Sequence, residues 1–257
     1  MEITNIDKVF LIAKRDLDRF WQSKQWLAGQ IAMNLADIFI FALIFRGIVR
    51  RDLIPDYLKF MTPGAVALAT FVAAFSIGRE VGMEIRRNTV EYLLTLPVSR
   101  QNLVLGRVLG GMLRGLIYQL VFLVLASIID SPPTLVQLPV LVATSVLLTM
   151  SMSSLAIAVS SISRDFNIQA TFRALTYYLL FFFSNVFYTK QVLALRFPHP
   201  LPEIISITPI SIAADIYRWC FNYYQQLDPQ NLVLLAIWSL ALTLLASATY
   251  LRNLTKR

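Results

Sequence analysis

The residue types that carry most enzymatic chemistry are nearly missing from this sequence. Its one histidine, His199, stands between Pro198 and Pro200, and its one cysteine is Cys220. A lone histidine between prolines reads as a loop residue. A single cysteine makes neither an internal disulfide nor a thiolate metal site. A phosphate-cradling G-x-x-x-x-G-K-[ST] loop is also absent. What remains is charge and polarity set in apolar surroundings. Asp37, with Asn34 one turn earlier, lies near the middle of a long apolar run. Such a charge costs about 2.5–3.5 kcal/mol on insertion scales, so it reads either as a pathway residue or as half of a structural pair. Arg114 is a candidate partner for it. A second polar set, Tyr178, Asn185 and Tyr188, falls in an aromatic run; part of that run reads as an interface belt, the rest as a possible lining for an amphipathic or lipid-linked molecule.

The densest charge lies in residues 78–102, GREVGMEIRRNTVEYLLTLPVSRQN. Glu80, Glu84 and Glu91 recur at steps of four and seven, with Arg79, Arg86 and Arg87 among them. Pro97 ends the run. The pattern predicts a short charged helix with an apolar end, joining two apolar segments. A solvated loop helix and a docking surface for a cytoplasmic partner both fit it.

The elements that position these residues follow from composition. Of 257 residues, 57% are hydrophobic and 15% charged, with a mean hydropathy of +0.63. An ordinary soluble domain carries roughly 25% charged residues. Apolar windows at 27–45, 58–77, 103–129, 135–162, 168–188 and 232–251 each approach the ~20 residues a bilayer needs. The expectation is an all-α integral membrane domain spanning 1–257, with six transmembrane helices. Gly106/Gly110 and Gly111/Gly115 in the third window read as close-packing pairs. The hydroxyls of the fourth, from Thr144 to Ser154, can bond back to their own helix.

Residues 1–26 differ. Ile6, Phe10, Ala13, Leu17 and Phe20 recur at steps of three and four, opposite Lys8, Arg15 and Gln22, with Trp21 and Trp26 close behind. This predicts an amphipathic helix in the membrane interface rather than a cleavable signal; a short soluble helix packed on a partner is the alternative. Late in the chain, 189–230 forms a long outer segment cut by Pro198, Pro200, Pro202 and Pro209. Short re-entrant helices before the last span would fit it. Arginine and lysine favour both termini in the cytoplasm, in the cell membrane, although Arg46, Arg50 and Arg51 lie on the other side. The net charge of +8 then meets anionic headgroups, and nucleic acid is not an expected partner.

The chain resembles the membrane subunits of ABC-2-type ABC transporters. The matching residues are DYLKFMTPG at 56–64, Glu84, then Asn88-Thr89-Val90-Glu91-Tyr92-Leu93, Pro97-Val98-Ser99-Arg100 and Leu105-Gly106-Arg107. Leu201-Pro202, Pro209 and Arg218 follow in the late outer segment. No single element is specific; the ordered set is. Asn88 stands where the family commonly has Gly, and Asn tolerates the same left-handed backbone. The resemblance implies a permease that pairs with a second permease subunit, identical or different. It also implies a separate nucleotide-binding subunit that holds ATP and Mg, with no cofactor in this chain. It makes residues 79–102 the coupling-helix region, with Glu80, Glu84, Arg86, Arg87, Thr89 and Glu91 contacting the ATPase. The expected activity is export of a hydrophobic, amphipathic or lipid-linked substrate. The rival readings are a secondary transporter, an intramembrane enzyme, and a membrane anchor or sensor. An ion-gradient requirement, ATP-independent turnover, and deletion without loss of efflux would respectively support them.

Overall fold

The computed structural model describes residues 5–49, 54–87, 89, 92, 95 and 98–255. Among them there is helix and no strand. The helices are α1 (Asn5–Gln22), α2 (Lys24–Ile48), α3 (Tyr57–Phe75), α4 (Ile77–Arg86), α5 (Arg100–Ile129) and α6 (Gln137–Ser160). They continue with α7 (Phe166–Phe182), α8 (Lys190–Arg196), α9 (Leu201–Ser206), α10 (Pro209–Cys220) and α11 (Pro229–Thr255). Several begin at a side-chain cap of the expected kind. Asp56 accepts from the backbone of Leu58 and Lys59, Ser99 from Asn102, Asp165 from Asn167 and Ile168, and Thr208 from Ser211.

Among the described residues, five helical segments are long and apolar enough to cross a membrane: Lys24–Phe45, Tyr57–Arg86, Arg100–Ile129, Gln137–Ser160 and Pro229–Asn253. They correspond to five of the six apolar windows. The remaining window, 168–188, yields only the 17 residues of α7. Its aromatic run looks continuous, but the chain turns at Phe183, where the Ser184 hydroxyl donates to the Phe181 carbonyl at 3.0 Å. Residues 184–187 are then buried under α10: the Asn185 amide donates to Ser211 Oγ at 3.0 Å and its side chain to Asp215 at 2.9 Å.

The second predicted span does not stop before the charged segment. Only Ser76 separates α3 from α4, and its hydroxyl donates to the Ala73 carbonyl at 2.6 Å. The expected helix between spans is therefore, in its first half, an extension of the span itself. Helix α3 is the pillar of the fold, buried along nearly its whole length against α5, α6 and α10. Helix α2 is the outlier: it packs on α3 and leaves most of its surface open.

The glycines of α5 are used in two directions. A Cβ on Gly106 would lie 2.7 Å from the Ile12 Cβ, and one on Gly110 would lie 3.0 Å from that of Asp16. Gly111 and Gly115 instead admit Ser153 and Thr149 of α6. In α6, Thr144, Ser145, Thr149 and Ser151 bond back to their own helix, as expected. Ser153 and Ser154 do not: they reach the Val108 carbonyl and Thr243.

Helix α1 forms where predicted, and α5 sets its course. Asn5 bonds Asn102, Ile12 meets Gly106, and Asp16 meets Gly110, so the two helices run side by side in one direction. Ala13, Asp16 and Phe20 are buried, while Ile6, Phe10, Trp21 and Trp26 stay exposed.

Candidate functional site

Where α1, α4 and α5 meet, the structure assembles a buried network of charge. Arg107 and Arg114 are seven residues apart, so they share a face of α5. Helix α4 runs past them in the opposite direction and presents Glu80 and Glu84, four residues apart. Helix α1 adds Asp16. Arg107, fully buried, donates from Nη1 to both Asp16 oxygens at 2.9 and 3.0 Å, and from Nη2 to Glu84. Arg114 grips Glu80 in a two-pronged pair at 2.6 and 2.9 Å, donates to the Asp16 carbonyl, and lies over the Phe20 ring. Bidentate guanidinium–carboxylate pairs fix orientation as well as energy. At the rim, Arg19 reaches Glu84 at 2.9 Å and Arg15 reaches Asp16 at 3.2 Å. Buried Tyr250 of α11 interacts electrostatically with Arg107.

This arrangement breaks no bonds. It welds three helices from distant parts of the sequence into one body. Glu80 and Glu84 are thus turned toward α1 and α5, with Glu84 buried. Arg86, Arg87 and Thr89, also expected at a partner contact, are exposed at the end of α4; Glu91 lies outside the described residues. Arg86 stacks over the Phe166 ring at 5.3 Å, with Arg173 over the same ring at 5.5 Å, so the tip also leans on the start of α7. No group of His, Cys, Asp and Glu suited to a metal occurs among the described residues.

The polar residues predicted inside the spans separate into three places. Asn34 and Asp37 share a crevice of about 30 Å³ between α2, α3 and α7, walled by Phe41, Phe122, Tyr177, Phe181 and Phe187. Asn34 donates to the Tyr118 hydroxyl at 2.7 Å. Arg114 is not the partner of Asp37, because Glu80 holds it. Tyr178 is exposed on the outside of α7, stacked on Phe182. Asn185 and Tyr188 lie at the end opposite the charge network, beside the crevice wall at Phe187. Asn185 is buried there by its bonds to Asp215 and Ser211, and Tyr188 packs on Phe187.

That end is latched by Arg218 of α10. Its guanidinium sits 3.7 Å from the Phe60 ring centroid and donates to the carbonyls of Phe60, Asn185 and Val186 and to Asp215. Gly64 makes room for it: a Cβ there would lie 2.9 Å from Val186 Cγ1 and 3.3 Å from the Arg218 guanidinium. The Pro63-Gly64 pair and the late arginine, distant in sequence, are one contact. The sequence profile of the family described as ABC-2 type transporter matches residues 7–222, from α1 to just past α10. The chain belongs to that family. It is a multi-pass membrane protein and the permease component of an ABC transporter. No curated protein sequence matches it.

Within this ABC-2 permease, sequence reasoning passed over Asp16 and used Arg107 as part of the Leu105-Gly106-Arg107 motif, not as a pairing residue. Both left a signal. Asp16 interrupts the face that Ala13 and Phe20 bury, and Arg107 and Arg114 repeat at one helical face beside the small residues Gly106 and Gly110. A charge in an apolar stripe, opposite charges at matching spacing, marks a pairing face.

Proposed function

We propose that this permease subunit exports a hydrophobic, amphipathic or lipid-linked substrate, using ATP hydrolysed by a separate nucleotide-binding subunit. The observation that carries the reading is the rod formed by α3 and α4. It is a span continued by ten further residues of α4, clamped to α1 and α5, with Arg86, Arg87 and Thr89 left exposed at its end. Exposed cations on a rigid, membrane-connected lever suit a docking contact with a cytoplasmic partner. The network behind them, Glu80 and Glu84 with Arg114 and Arg107, hands the motion of that tip to α1 and α5.

In this reading α7 is the sixth span. Its 17 residues reach the lower limit of about 17–25 for a crossing helix. Both termini are cytoplasmic. Trp21 and Trp26 sit at headgroup level, with α1 at the interface. Helix α10 re-enters from the outer side: the Tyr217 hydroxyl accepts from Gln119 at 2.6 Å, well inside the end of α5 at Ile129. A second permease subunit completes the transporter. ATP and Mg belong to the partner.

The test is gentle purification of the tagged chain with mass spectrometry of what accompanies it. A stoichiometric companion bearing a nucleotide-binding loop is expected, and it is lost when Arg86 and Arg87 are changed to Glu. No ATPase companion, under conditions that preserve other such complexes, overturns the reading.

A further inference from the structure

The Asp37 carboxylate has no counterpart. It is the fourteenth residue of the 25 in α2, near the centre of a membrane-crossing helix, yet its side chain is exposed. Among the described residues nothing donates a hydrogen bond to it and no Lys or Arg pairs with it. Four arginines of the other helices are committed elsewhere. Arg107 and Arg114 serve the charge network, Arg173 serves Ser160 and Phe166, and Arg218 serves the outer latch. An intramembrane carboxylate without an internal partner calls for a cation from outside the chain.

The surroundings of Asp37 select which cation. A hard metal ion wants six or more oxygen ligands. Here the only other polar side chain of the crevice that is not aromatic is Asn34, whose NH2 donates to Tyr118, so its carbonyl and the Asp37 carboxylate supply too few oxygens for such an ion. The remaining wall is apolar or aromatic, with Tyr177 and Phe181 facing Asp37 across the gap. Aromatic faces attract weakly hydrated organic cations. At about 30 Å³ the crevice has room for a small head group and not for a whole lipid or drug. On α2, Met33, Ile40 and Ile44, at helical spacing from Asp37, are exposed.

We propose that Asp37 and the aromatic wall of α7 form a binding site for the ammonium head of a cationic amphiphile, whose tail lies along the apolar face of α2. This names the substrate class of the exporter, and so rests on the permease reading. Neutral and anionic amphiphiles of the same shape lack the ion pair and are discriminated against.

Equilibrium binding of radiolabelled oleylamine to the purified complex in lipid nanodiscs tests the site, with empty nanodiscs subtracted and oleyl alcohol as the uncharged control. The expected result is saturable oleylamine binding, at least tenfold tighter than oleyl alcohol. Asp37→Asn should abolish the preference, and Asp37→Glu should retain most of it. Equal binding of the amine by wild type and Asp37→Asn overturns the proposal. So does disulfide cross-linking of Asp37→Cys to a second copy, which would make the carboxylate part of a subunit interface. ATP-driven transport in vesicles separates the two claims. Transport of another cargo unaffected by Asp37→Asn sinks the cation site and leaves the permease. Amine binding without any ATP-dependent movement keeps the site and sinks the exporter.

Discussion

Replacing Arg107 by Met should destabilise the protein by about 3 kcal/mol, and replacing its two carboxylate partners as well should restore most of that loss. Arg107 is wholly buried and neutralises Asp16, also wholly buried, and Glu84, nearly so. Removing one member of a buried pair costs about 3–5 kcal/mol, because an uncompensated charge is left behind. The lower end applies here. Arg15 remains 3.2 Å from Asp16, and Arg19 remains 2.9 Å from Glu84, both partly exposed. At about 2–4 °C per kcal/mol for a chain of this size, Tm should fall by about 6–12 °C. The combination Asp16→Leu, Arg107→Met and Glu84→Met removes charge and counter-charge together, and such swaps are close to neutral. Thermal unfolding in a mild detergent, followed by static light scattering or tryptophan fluorescence, reads all of these variants. The reasoning is refuted if Arg107→Met melts within about 2 °C of wild type, or if the triple variant is as unstable as the single. Either result would mean that the network is not a closed set of buried pairs.

Two further expectations follow from the same geometry. Gly106→Val should cost about 1–3 kcal/mol by forcing α1 off α5 at Ile12, whereas Gly29→Ala, with open space around it, should be neutral or gain up to about 1 kcal/mol; thermal melting of both settles it. Asp130, capping the outer end of α5, has a buried oxygen without a hydrogen-bond partner, and burial pushes its carboxyl up to about 7, only partly opposed by Lys59. Raised in the folded state, this group favours folding fully below about pH 4 and loses that contribution as pH climbs toward 7. Stability should therefore fall over that window and level off above it, and Asp130→Asn should flatten the profile. Parallel melting curves for the two proteins from pH 4.5 to 8 would refute the assignment.

The spans were legible because a bilayer demands long apolar helices, and five of six windows contain one. The fifth window overran its helix because Phe181, Phe182 and Phe183 run on, past only Ser184 and Asn185, into Val186, Phe187 and Tyr188. What ends α7 is a contact from α10, some 25 residues away in sequence, which local periodicity does not carry. The charged stretch was legible as a unit, but its surroundings were not. Periodicity put Glu80 and Glu84 on one face, but a face of carboxylates looks solvated until the arginines of α5 are seen opposite. Arg86, Arg87 and Thr89 are exposed, and Glu91 lies outside the described residues. Likewise Pro63-Gly64 and Arg218 were visible as separate motif elements, while their contact through Val186 needed the fold.

Taken as a lever, α3 with α4 explains why two polar assemblies at opposite ends of the protein are both needed. Tyr57 to Arg86 makes a rod of 30 residues, about 45 Å long, with a single break at Ser76. Its α4 end is held by ion pairs to α1 and α5. Its opposite end is held by Arg218 over Phe60. Helix α2 is fastened far less, packing chiefly on α3 across the crevice that holds Asp37. A push at Arg86 therefore meets a stiff body made of α1, α4 and α5, and the compliant seam is the one between α2 and α3 with α7. In an ATP-driven exporter that seam is where a passage can open without breaking a buried ion pair. The carboxylate without a partner stands in that same seam.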